Sequence, residues 1–397
     1  MPRCRRTCRA RPRADTDLAC RHLTGVSTRD AAARQPCTEP FRIPLRTARL
    51  RANLARLRRW EFWPSWVVNA PVAVWTAGLA IRHRSLSVFT AANPGIEEGG
   101  FVGESKSAIL AQLPQTWVIP WMVVEVGPAA ARSEALAAGL RRRGWTYPLV
   151  LKPDVGQRGT GVRWVRDAGG ANRYLANEPG RVLVQIPHDG PCEAGLFYVR
   201  HPGEARGHLF SITDKRFPFV IGDGRATLEA LILAHPRARL QAGVFLIRHA
   251  ARREWIPAAG DIVPLVQAGN HAQGTQFFDG SPLATPALEA SIDAIAQAVD
   301  GFYFGRFDVR YADARELMAG RGFAIVELNG VTSEATHIYD PSATLTSAWR
   351  TLMRQWSLAF AIGAANRARG HRPATLRRLA QLTWAYWRTR PTHPVAD

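Results

Sequence analysis

The sequence predicts an α+β protein, with short strands and helices sharing one large core. Two observations support this prediction. Of the 397 residues, 46% are hydrophobic, which is enough for a substantial core and excludes a wholly disordered or collagen-like chain. Apolar runs of strand length also follow one another along the chain, together with an amphipathic run of helical length. No internal repeat is evident.

Four apolar runs predict strands and one stretch predicts a helix. The strand candidates are residues 147–152 (YPLVLK), 181–186 (RVLVQI), 303–311 and 322–328. Residues 285–299 predict a helix with one apolar stripe, because Thr285 can cap the first turn, Pro286 fits that turn and Gly301 can end it.

The net charge of +20 is unevenly distributed. Residues 1–59 contain 16 Arg and four acidic residues and so carry most of it. Their composition is typical of a disordered leader, while an over-extended start and an organelle transit peptide remain open alternatives. Because the rest of the chain is only mildly basic, the charge predicts no specific nucleic-acid partner.

The five cysteines indicate a reducing, cytoplasmic setting. Four of them lie in the Arg-rich leader, and neither a CxxC pair nor a His in ligand spacing accompanies them. This odd number and spacing argue against both a zinc site and a disulfide framework, and no secretory signal is evident.

Two stretches predict peripheral contact with the cytoplasmic face of a membrane. Residues 62–81 contain no charged side chain and are interrupted by Pro64, Asn69 and Pro71. Their length could span a bilayer, but the interruptions, the dispersed Trp residues and the basic flanks favour an interfacial helix or re-entrant hairpin. Burial in the core and a true span remain alternatives. Residues 375–390 are basic and apolar at helical spacing, which predicts a second surface helix.

Lysine is rare in this chain, with Lys106, Lys152 and Lys215 the only three among 52 basic residues. A compact ammonium can neutralise a phosphate in a tight space where a planar guanidinium fits less well. Lysine therefore marks candidate phosphate-binding positions in a protein that otherwise uses arginine.

A glycine-rich loop follows the second of these lysines. Lys152 ends a predicted strand, and Gly156, Gly159 and Gly161 come directly after it. Such a loop lets backbone N–H groups approach phosphate oxygens closely while the lysine neutralises their charge. The loop lacks the GK[ST] signature of a Walker A motif, and an ordinary hairpin turn is the alternative.

The last two predicted strands carry polar residues in otherwise apolar runs. Residues two apart on a strand face the same side, so Glu327 and Asn329 project together, as do Arg306 and Asp308. Three hard oxygen donors on adjacent strands suit Mg²⁺, or Mn²⁺, shared with substrate phosphates. Arg306 can stabilise charge that develops on a transferred phosphoryl group.

Together these motifs resemble the ATP-grasp superfamily. GRFDV and VELNGVTSEATH are similar to the metal strands of D-alanine–D-alanine ligases, and residues 211–232 with AGNHAQGT are closer to cyanophycin synthetases. The resemblance implies an ATP-grasp fold of two α+β lobes that clamp ATP. Together with the composition of the two ends, it predicts a leader (1–59), a hydrophobic, membrane-associated segment and linker (60–106), the ATP-grasp domain (107–345) and C-terminal amphipathic helices (346–397).

The resemblance also implies a role for each candidate site residue. The ATP phosphates would be bound by Lys106, Lys152, Gly156, Gly159 and Gly161. The adenine hinge would be formed by Gln185, Ile186, Pro187 and His188, with Glu193 at the ribose. Lys215 and Arg216 would sit over the phosphates or substrate. Asp308, Glu327 and Asn329 would hold Mg²⁺, and Arg306 would be the catalytic residue that steadies an acyl-phosphate transition state.

The activity implied by this resemblance is that of an ADP-forming ligase, which joins a small-molecule carboxylate to an amine through an acyl phosphate. A phosphotransferase and a non-catalytic membrane-associated nucleotide-binding protein are the alternatives. Glu334 stands in a turn that is rich in Pro and Gly in D-alanine ligases, which argues against D-alanine as the substrate.

Overall fold

The structure is a computed structural model that describes residues 45–57, 59–156, 159–266 and 269–388. Its helices are α1 (Leu45–Leu57), α2 (Ser65–Arg82), α3 (Lys106–Gln112), α4 (Ala129–Arg143), α5 (Ala168–Asn177), α6 (Leu228–Ala234), α7 (Ala242–Arg248), α8 (Pro286–Gln297), α9 (Ala314–Met318), α10 (Leu345–Ala368) and α11 (Leu376–Arg388). Its strands are β1 (Trp121–Val124), β2 (Leu149–Pro153), β3 (Arg163–Val165), β4 (Val182–Gln185), β5 (Cys192–Val199), β6 (His208–Arg216), β7 (Phe219–Ile221), β8 (Ile262–Pro264), β9 (Gln276–Asp279), β10 (Phe304–Tyr311) and β11 (Phe323–Asn329).

Two antiparallel sheets organise the molecule. A four-stranded sheet has the order β1-β4-β2-β3, and a five-stranded sheet has the order β11-β10-β5-β6-β9. A two-stranded sheet pairs β7 with β8. Helices pack against both larger sheets, so the predicted α+β class with two lobes is confirmed.

Each large sheet has its own apolar core. Leu136 of α4 and Leu175 of α5 pack with strand residues such as Leu149 in the four-stranded lobe. In the five-stranded lobe, Ile292 of α8 packs against the face that carries Phe307. Burial of such side chains is the main favourable contribution to folding. Because α8 covers one face of the larger sheet, polar residues of its strands collect on the other.

The predicted elements agree closely with the observed ones. The four predicted strands correspond to β2, β4, β10 and β11, with ends shifted by no more than two residues. The predicted helix at 285–299 is α8. The Thr285 hydroxyl caps it as expected, accepting a hydrogen bond from the Leu288 N–H at 3.1 Å.

Strand β11 contains a β-bulge that decides which side chains face which way. Asp308 pairs with Glu327, but the next residue of β10, Val309, pairs with Ile325, so Val326 is the extra residue. In an unbroken strand, Phe323 and Ile325 would share a face with Glu327. The bulge instead places Phe323 and Ile325 in the core while the Glu327 side chain faces away from it.

Two further expectations differ from the structure, one about the leader and one about Cys192. Within the leader predicted to be disordered, residues 45–57 form α1, which the Arg49 guanidinium ties to Glu229 through an Nε–Oε1 hydrogen bond of 3.0 Å. Residues 1–44 lie outside the described residues. Cys192, expected to be reduced, is buried and disulfide-bonded.

The charge-free stretch at 62–81 forms most of helix α2, which packs on α10. The indole Nε1 of Trp349 donates a hydrogen bond to the Val68 carbonyl at 2.8 Å. Among the helices of the described ranges, none combines the length and apolar character needed to cross a bilayer. The predicted C-terminal surface helix at 375–390 corresponds to α11.

Candidate active site

The candidate site lies on the face of the five-stranded sheet opposite α8. Antiparallel pairing aligns its side chains in three rows across the strands. The rows are Lys215–Glu193–Arg310, Thr213–Gly195–Asp308–Glu327, and Ser211–Phe197–Arg306–Asn329. Since strands are about 4.8 Å apart and alternate residues share a face, the rows form one surface. It is polar except at Phe197, which is buried in an apolar core.

A buried ion network occupies the centre of this surface. The Lys215 ammonium lies 2.8 Å from Glu193 Oε1 and 3.0 Å from Asp308 Oδ1. The other oxygen of Glu193 accepts a hydrogen bond from Arg310 Nε at 3.1 Å. Burial raises the pKa of Glu193, but the charges of Lys215 and Arg310 lower it by more than burial raises it. The net shift of this pKa is therefore downward. This carboxylate is therefore ionised.

Arg306 holds the second carboxylate of the network. Its Nε donates to Asp308 Oδ1 at 2.9 Å and its Nη2 to Oδ2 at 3.2 Å. Burial raises the pKa of Asp308, but the charges and hydrogen bonds of Arg306 and Lys215 outweigh this and lower it to about 2. A Cβ built on Gly195 would lie 3.0 Å from Arg306 Cδ, so glycine beneath the pair leaves room for its geometry.

The four-stranded sheet contributes Lys152 and Gln185 to the candidate site, where both side chains approach strand β11. Lys152 Nζ and Gln185 Nε2 each lie 3.4 Å from the carbonyl oxygen of Val326, the extra residue of the bulge. Burial lowers the pKa of Lys152, while Glu327, Glu193 and Asp308 act in the opposite direction. The two lobes thus meet at the bulge, with a buried lysine beside the carboxylates of the sheet.

Lys106 and the glycine-rich loop lie next to Lys152. Lys106 begins α3, and its Nζ donates to the Gly156 carbonyl at 2.5 Å. Gly159 and Gly161 have φ values of +68° and +76°, a left-handed conformation that favours glycine. The structure therefore brings Lys106, Lys152 and this loop together, while residues 157 and 158 lie outside the described range.

The residues of the predicted hinge lie at the end of β4 and in the turn that follows it. Gln185 ends the strand, and the Ile186 N–H donates to the Pro120 carbonyl at 3.3 Å. After Pro187 the chain turns, and His188 Nδ1 accepts a hydrogen bond from the Gly190 N–H at 2.9 Å. Burial lowers the pKa of His188, with the Arg310 charge acting the same way, so its imidazole is neutral.

Arg216 is a correction to the predicted site. It was expected to sit beside Lys215 over phosphates or substrate, but adjacent residues of a strand point to opposite faces. Its Nε pairs with Asp214 Oδ2 at 2.9 Å, and its guanidinium lies 4.2 Å from the Phe278 ring centroid. The structure therefore places Arg216 outside the polar surface that holds Lys215.

Two acidic residues lie near the site but were not among those predicted from the sequence. Asp154 is buried and joins β2 to the start of α3, accepting hydrogen bonds from Ser107 N and Ser105 Oγ at 2.7 Å each. Glu104 is mostly buried, and burial raises its pKa, which Glu327 reinforces. Its Oε2 atom has no hydrogen-bond partner among the described residues. Proximity to Lys106 was the only sequence signal for Glu104.

The residues predicted to hold Mg²⁺ fit that ion. Asp308 and Glu327 are direct cross-strand neighbours, and Asn329 Nδ2 lies 3.4 Å from Asp308 Oδ2. Within the described ranges, no group of three or more His, Cys, Asp or Glu side chains converges as a metal site. Two carboxylates and an amide oxygen nevertheless suit Mg²⁺, which commonly takes one or two protein carboxylates and completes its shell with phosphates and water.

No protein family and no curated protein matches the sequence. Several solved structures resemble the fold. One is a bifunctional glutathione synthetase from Pasteurella multocida, at 15% identity and a TM-score of 0.34, covering 63% of this chain and 36% of that one. Another is the D-cycloserine synthetase DcsG, at 19% identity and a TM-score of 0.35, covering 66% and 69%.

A third similar structure is the VanG D-Ala:D-Ser ligase from Enterococcus faecalis, at 14% identity and a TM-score of 0.35, covering 64% of this chain and 61% of that one. All three are synthetases or ligases by name. The chain spans only 36% of the length of the glutathione synthetase.

Proposed function

We propose that this protein is an ATP-grasp ligase that uses ATP and Mg²⁺, or Mn²⁺, to join a small-molecule carboxylate to an amine, with release of ADP. The supporting observation is the convergence of all three lysines of the chain with the predicted metal residues. Lys215 contacts Asp308 directly, and Lys152 is close enough to Lys106 and Glu327 for their charges to shift its pKa. Such a set suits a polyphosphate and its metal ion.

The proposed reaction explains why ATP is needed. A carboxylate is a poor electrophile, so one of its oxygens first takes the γ-phosphoryl group and ADP leaves. The amine nitrogen then attacks the acyl carbon, the C–N bond forms, the bond from carbon to the phosphate oxygen breaks, and the nitrogen releases a proton to solvent. Inorganic phosphate departs.

The side chains of the site have distinct roles in this proposal. Lys106 and Lys152 neutralise phosphate charge, and Arg306 stabilises the acyl phosphate as charge develops on it. Asp308, Glu327 and Asn329 would hold Mg²⁺, which supplies positive charge to phosphate oxygens when bound. Lys215 must loosen from Glu193 or Asp308 to reach substrate. We therefore expect nucleotide binding to reorganise the ion network.

The Glu327→Gln variant tests the proposal. Replacing this half-buried carboxylate by a neutral amide removes the negative charge of one predicted metal ligand, while the Lys215–Asp308 network is retained. We expect about a 100-fold loss of activity. The assay measures ADP release with Mg²⁺-ATP and a pool of amino acids, hydroxy acids and cell metabolites. In the presence of hydroxylamine, an acyl phosphate is trapped as a hydroxamate.

The matched control is Glu134→Gln, which makes the same chemical change at an exposed position on α4. It should release ADP at the wild-type rate. ADP formation without hydroxamate would favour a phosphotransferase over a ligase. ATP binding without any turnover in the wild type would favour a non-catalytic nucleotide-binding protein.

We also propose that helix α2 contacts the cytoplasmic face of a membrane. Its outer face carries large apolar side chains and no charge, with Trp66 75%, Val74 75% and Ile81 80% exposed. An interfacial helix buries such a face below the lipid headgroups, and the arginines near its ends suit anionic lipid. This orientation would hold the enzyme close to lipid-linked or envelope substrates.

The double variant Val74→Asp/Ile81→Asp tests this contact. We expect the wild type to sediment with vesicles of phosphatidylcholine and phosphatidylglycerol, and binding of the variant to fall at least tenfold because two carboxylates would enter the interface. Val126→Asp, at an exposed position after β1, is the control and should bind like the wild type. Equal binding by all three proteins would contradict the proposal.

A further inference from the structure

A pocket of about 440 Å³ lies in the four-stranded lobe, between strand β3 and helix α5. Its volume is within the roughly 300–1,000 Å³ of sites that bind small molecules. Strand β3 contributes Arg163 and Val165 to the lining, and α5 contributes Arg173 and Tyr174. Gly161, at the end of the glycine-rich loop, also lines the pocket. The pocket is therefore a candidate ligand site next to the predicted phosphate-binding motif.

This pocket lies on the opposite face of the four-stranded sheet from Lys152. Leu149 and Leu151 of β2 pack with α4 and α5 in the apolar core of this lobe. Lys152 is the next residue of that strand, so its side chain points to the other face. Val165, which pairs with Leu149, belongs to the same core and lines the pocket. A ligand bound here would therefore not occupy the position proposed for the nucleotide beside Lys152.

The lining of the pocket combines apolar and basic side chains. Val165 is buried, and Tyr174 packs against the same apolar core. Arg166 and Arg173 are exposed, and neither forms an ion pair with an acidic side chain in the described part of the chain. Arg163 is a third arginine of the lining. An apolar surface bordered by guanidinium groups suits a molecule with an apolar part and an anionic part.

The two acidic residues of the lining are bound by backbone groups. Asp167 is the N-cap of α5, and its side chain accepts a hydrogen bond from the Gly170 N–H at 2.7 Å. Glu178 lies at the other end of this helix and accepts a hydrogen bond from the Gly180 N–H at 3.1 Å. The two exposed arginines are therefore the charged groups that remain available to a ligand.

Tyr174 connects the pocket to the glycine-rich loop. Its hydroxyl donates a hydrogen bond to the Gly161 carbonyl at 2.7 Å. Burial raises the pKa of this hydroxyl, and the Glu178 charge acts in the same direction, so the group stays protonated as a donor. A Cβ built on Gly161 would lie 2.8 Å from Pro153 Cγ, so the end of the loop is closely packed against β2. A ligand that contacts Tyr174 would therefore restrain the loop that is proposed to bind phosphate.

We propose that this pocket is a second ligand site, which binds a small molecule with an apolar body and one anionic group, and that its occupancy tightens nucleotide binding. The apolar body would lie on Val165 and Tyr174, and the anionic group would pair with Arg166 or Arg173. A restrained glycine-rich loop loses less conformational freedom when the nucleotide binds. The effect on the nucleotide rests on the proposed function, whereas the ligand site itself does not.

Fluorescence titration of the full chain with toluidinonaphthalene sulfonate tests the ligand site. This probe has an apolar aromatic body and one sulfonate, and its emission rises in apolar surroundings. We expect Arg166→Gln/Arg173→Gln to weaken its binding about tenfold. Arg141→Gln/Arg142→Gln, which changes two exposed arginines of α4 in the same lobe, is the matched control and should bind the probe like the wild type.

A second variant fills the pocket without changing its charge. A Cβ at position 170 would lie 3.5 Å from Asp167 Oδ1 and 3.8 Å from Val165 Cβ, which are ordinary contact distances. Gly170→Leu should therefore fold and place its side chain in the space that the probe requires. We expect it to weaken probe binding as much as the double arginine variant does. Equal binding by the wild type and both pocket variants would overturn the ligand site, as would the same loss of binding in the control.

Equilibrium dialysis of a radiolabelled, non-hydrolysable ATP analogue with Mg²⁺ measures the effect on the loop. Saturation with the probe should tighten binding of the analogue about fivefold in the wild type. Tyr174→Phe keeps the ring but lacks the hydroxyl that bonds Gly161, so the probe should bind without this effect. An unchanged affinity in the wild type, or the same change in Tyr174→Phe, would overturn the link to the loop. Failure of the wild type to bind the analogue at all would instead contradict the proposed function and leave the ligand site standing.

Discussion

Replacing Lys215 by Met is expected to lower the free energy of unfolding by about 3 kcal/mol. Lys215 is 3% exposed, and its ammonium lies between the Glu193 and Asp308 carboxylates, which are themselves buried. Each carboxylate keeps one arginine, so the cost lies at the low end for a broken buried ion pair. Urea unfolding followed by circular dichroism at pH 7 measures the change.

The neighbouring residue supplies the control for this prediction. Arg216→Met removes a cation from the same strand, but that side chain is 49% exposed and pairs with Asp214 at the surface. Its loss should cost less than about 1 kcal/mol. Adding Glu193→Gln to Lys215→Met removes one of the carboxylates left behind and should recover part of the stability. Equal costs for Lys215→Met and Arg216→Met would show that the buried network contributes little.

Glu61→Gln is expected to reduce stability by about 3 kcal/mol at pH 7 and to have little effect near pH 2. Glu61 is the centre of a second ion cluster, in which Arg237 donates to both oxygens at 2.5 and 2.9 Å and His271 Nε2 lies 3.0 Å away. Burial raises the pKa of Glu61, but these partners lower it to about 2 from 4.5. At about 1.4 kcal/mol per pKa unit, the shift gives the expected magnitude.

The direction of the pH dependence follows from the lowered pKa. The folded state binds the Glu61 proton more weakly than the unfolded state, so its contribution is complete above pH 4.5 and is lost as the pH falls toward 2. Urea unfolding at several pH values should show the wild type and Glu61→Gln converging across this window. Glu316→Gln, which breaks an exposed ion pair with Arg321, should leave the pH dependence unchanged. A difference independent of pH would contradict the prediction.

The sequence was sufficient to locate the strands that carry the candidate chemistry. Alternation in β10 places Arg306 and Asp308 on one face, and alternation in β11 places Glu327 and Asn329 together. The cross-strand pairing of Asp308 with Glu327 agrees with that expectation. Local rules sufficed here because polar residues within apolar strands have few alternatives. The rarity of lysine added a signal that does not depend on secondary structure.

Other parts of the site depend on contacts that local rules do not reach. Glu104 precedes a short helix in a loop, and only tertiary packing buries it beside Lys106. Arg216 is different, because strand alternation alone separates it from Lys215.

The extra residue at Val326 affects how related sequences should be aligned with this one and what deletion of this residue would do. Without it, β11 would alternate without interruption, and either Phe323 and Ile325 would enter the polar surface or Glu327 and Asn329 would enter the core. A substitution at Val326 leaves the number of residues in β11 unchanged, so the same side chains face the core and the polar surface. A homologous sequence aligned with a gap at Val326 would have its counterparts of Glu327 and Asn329 assigned to the wrong face of the sheet.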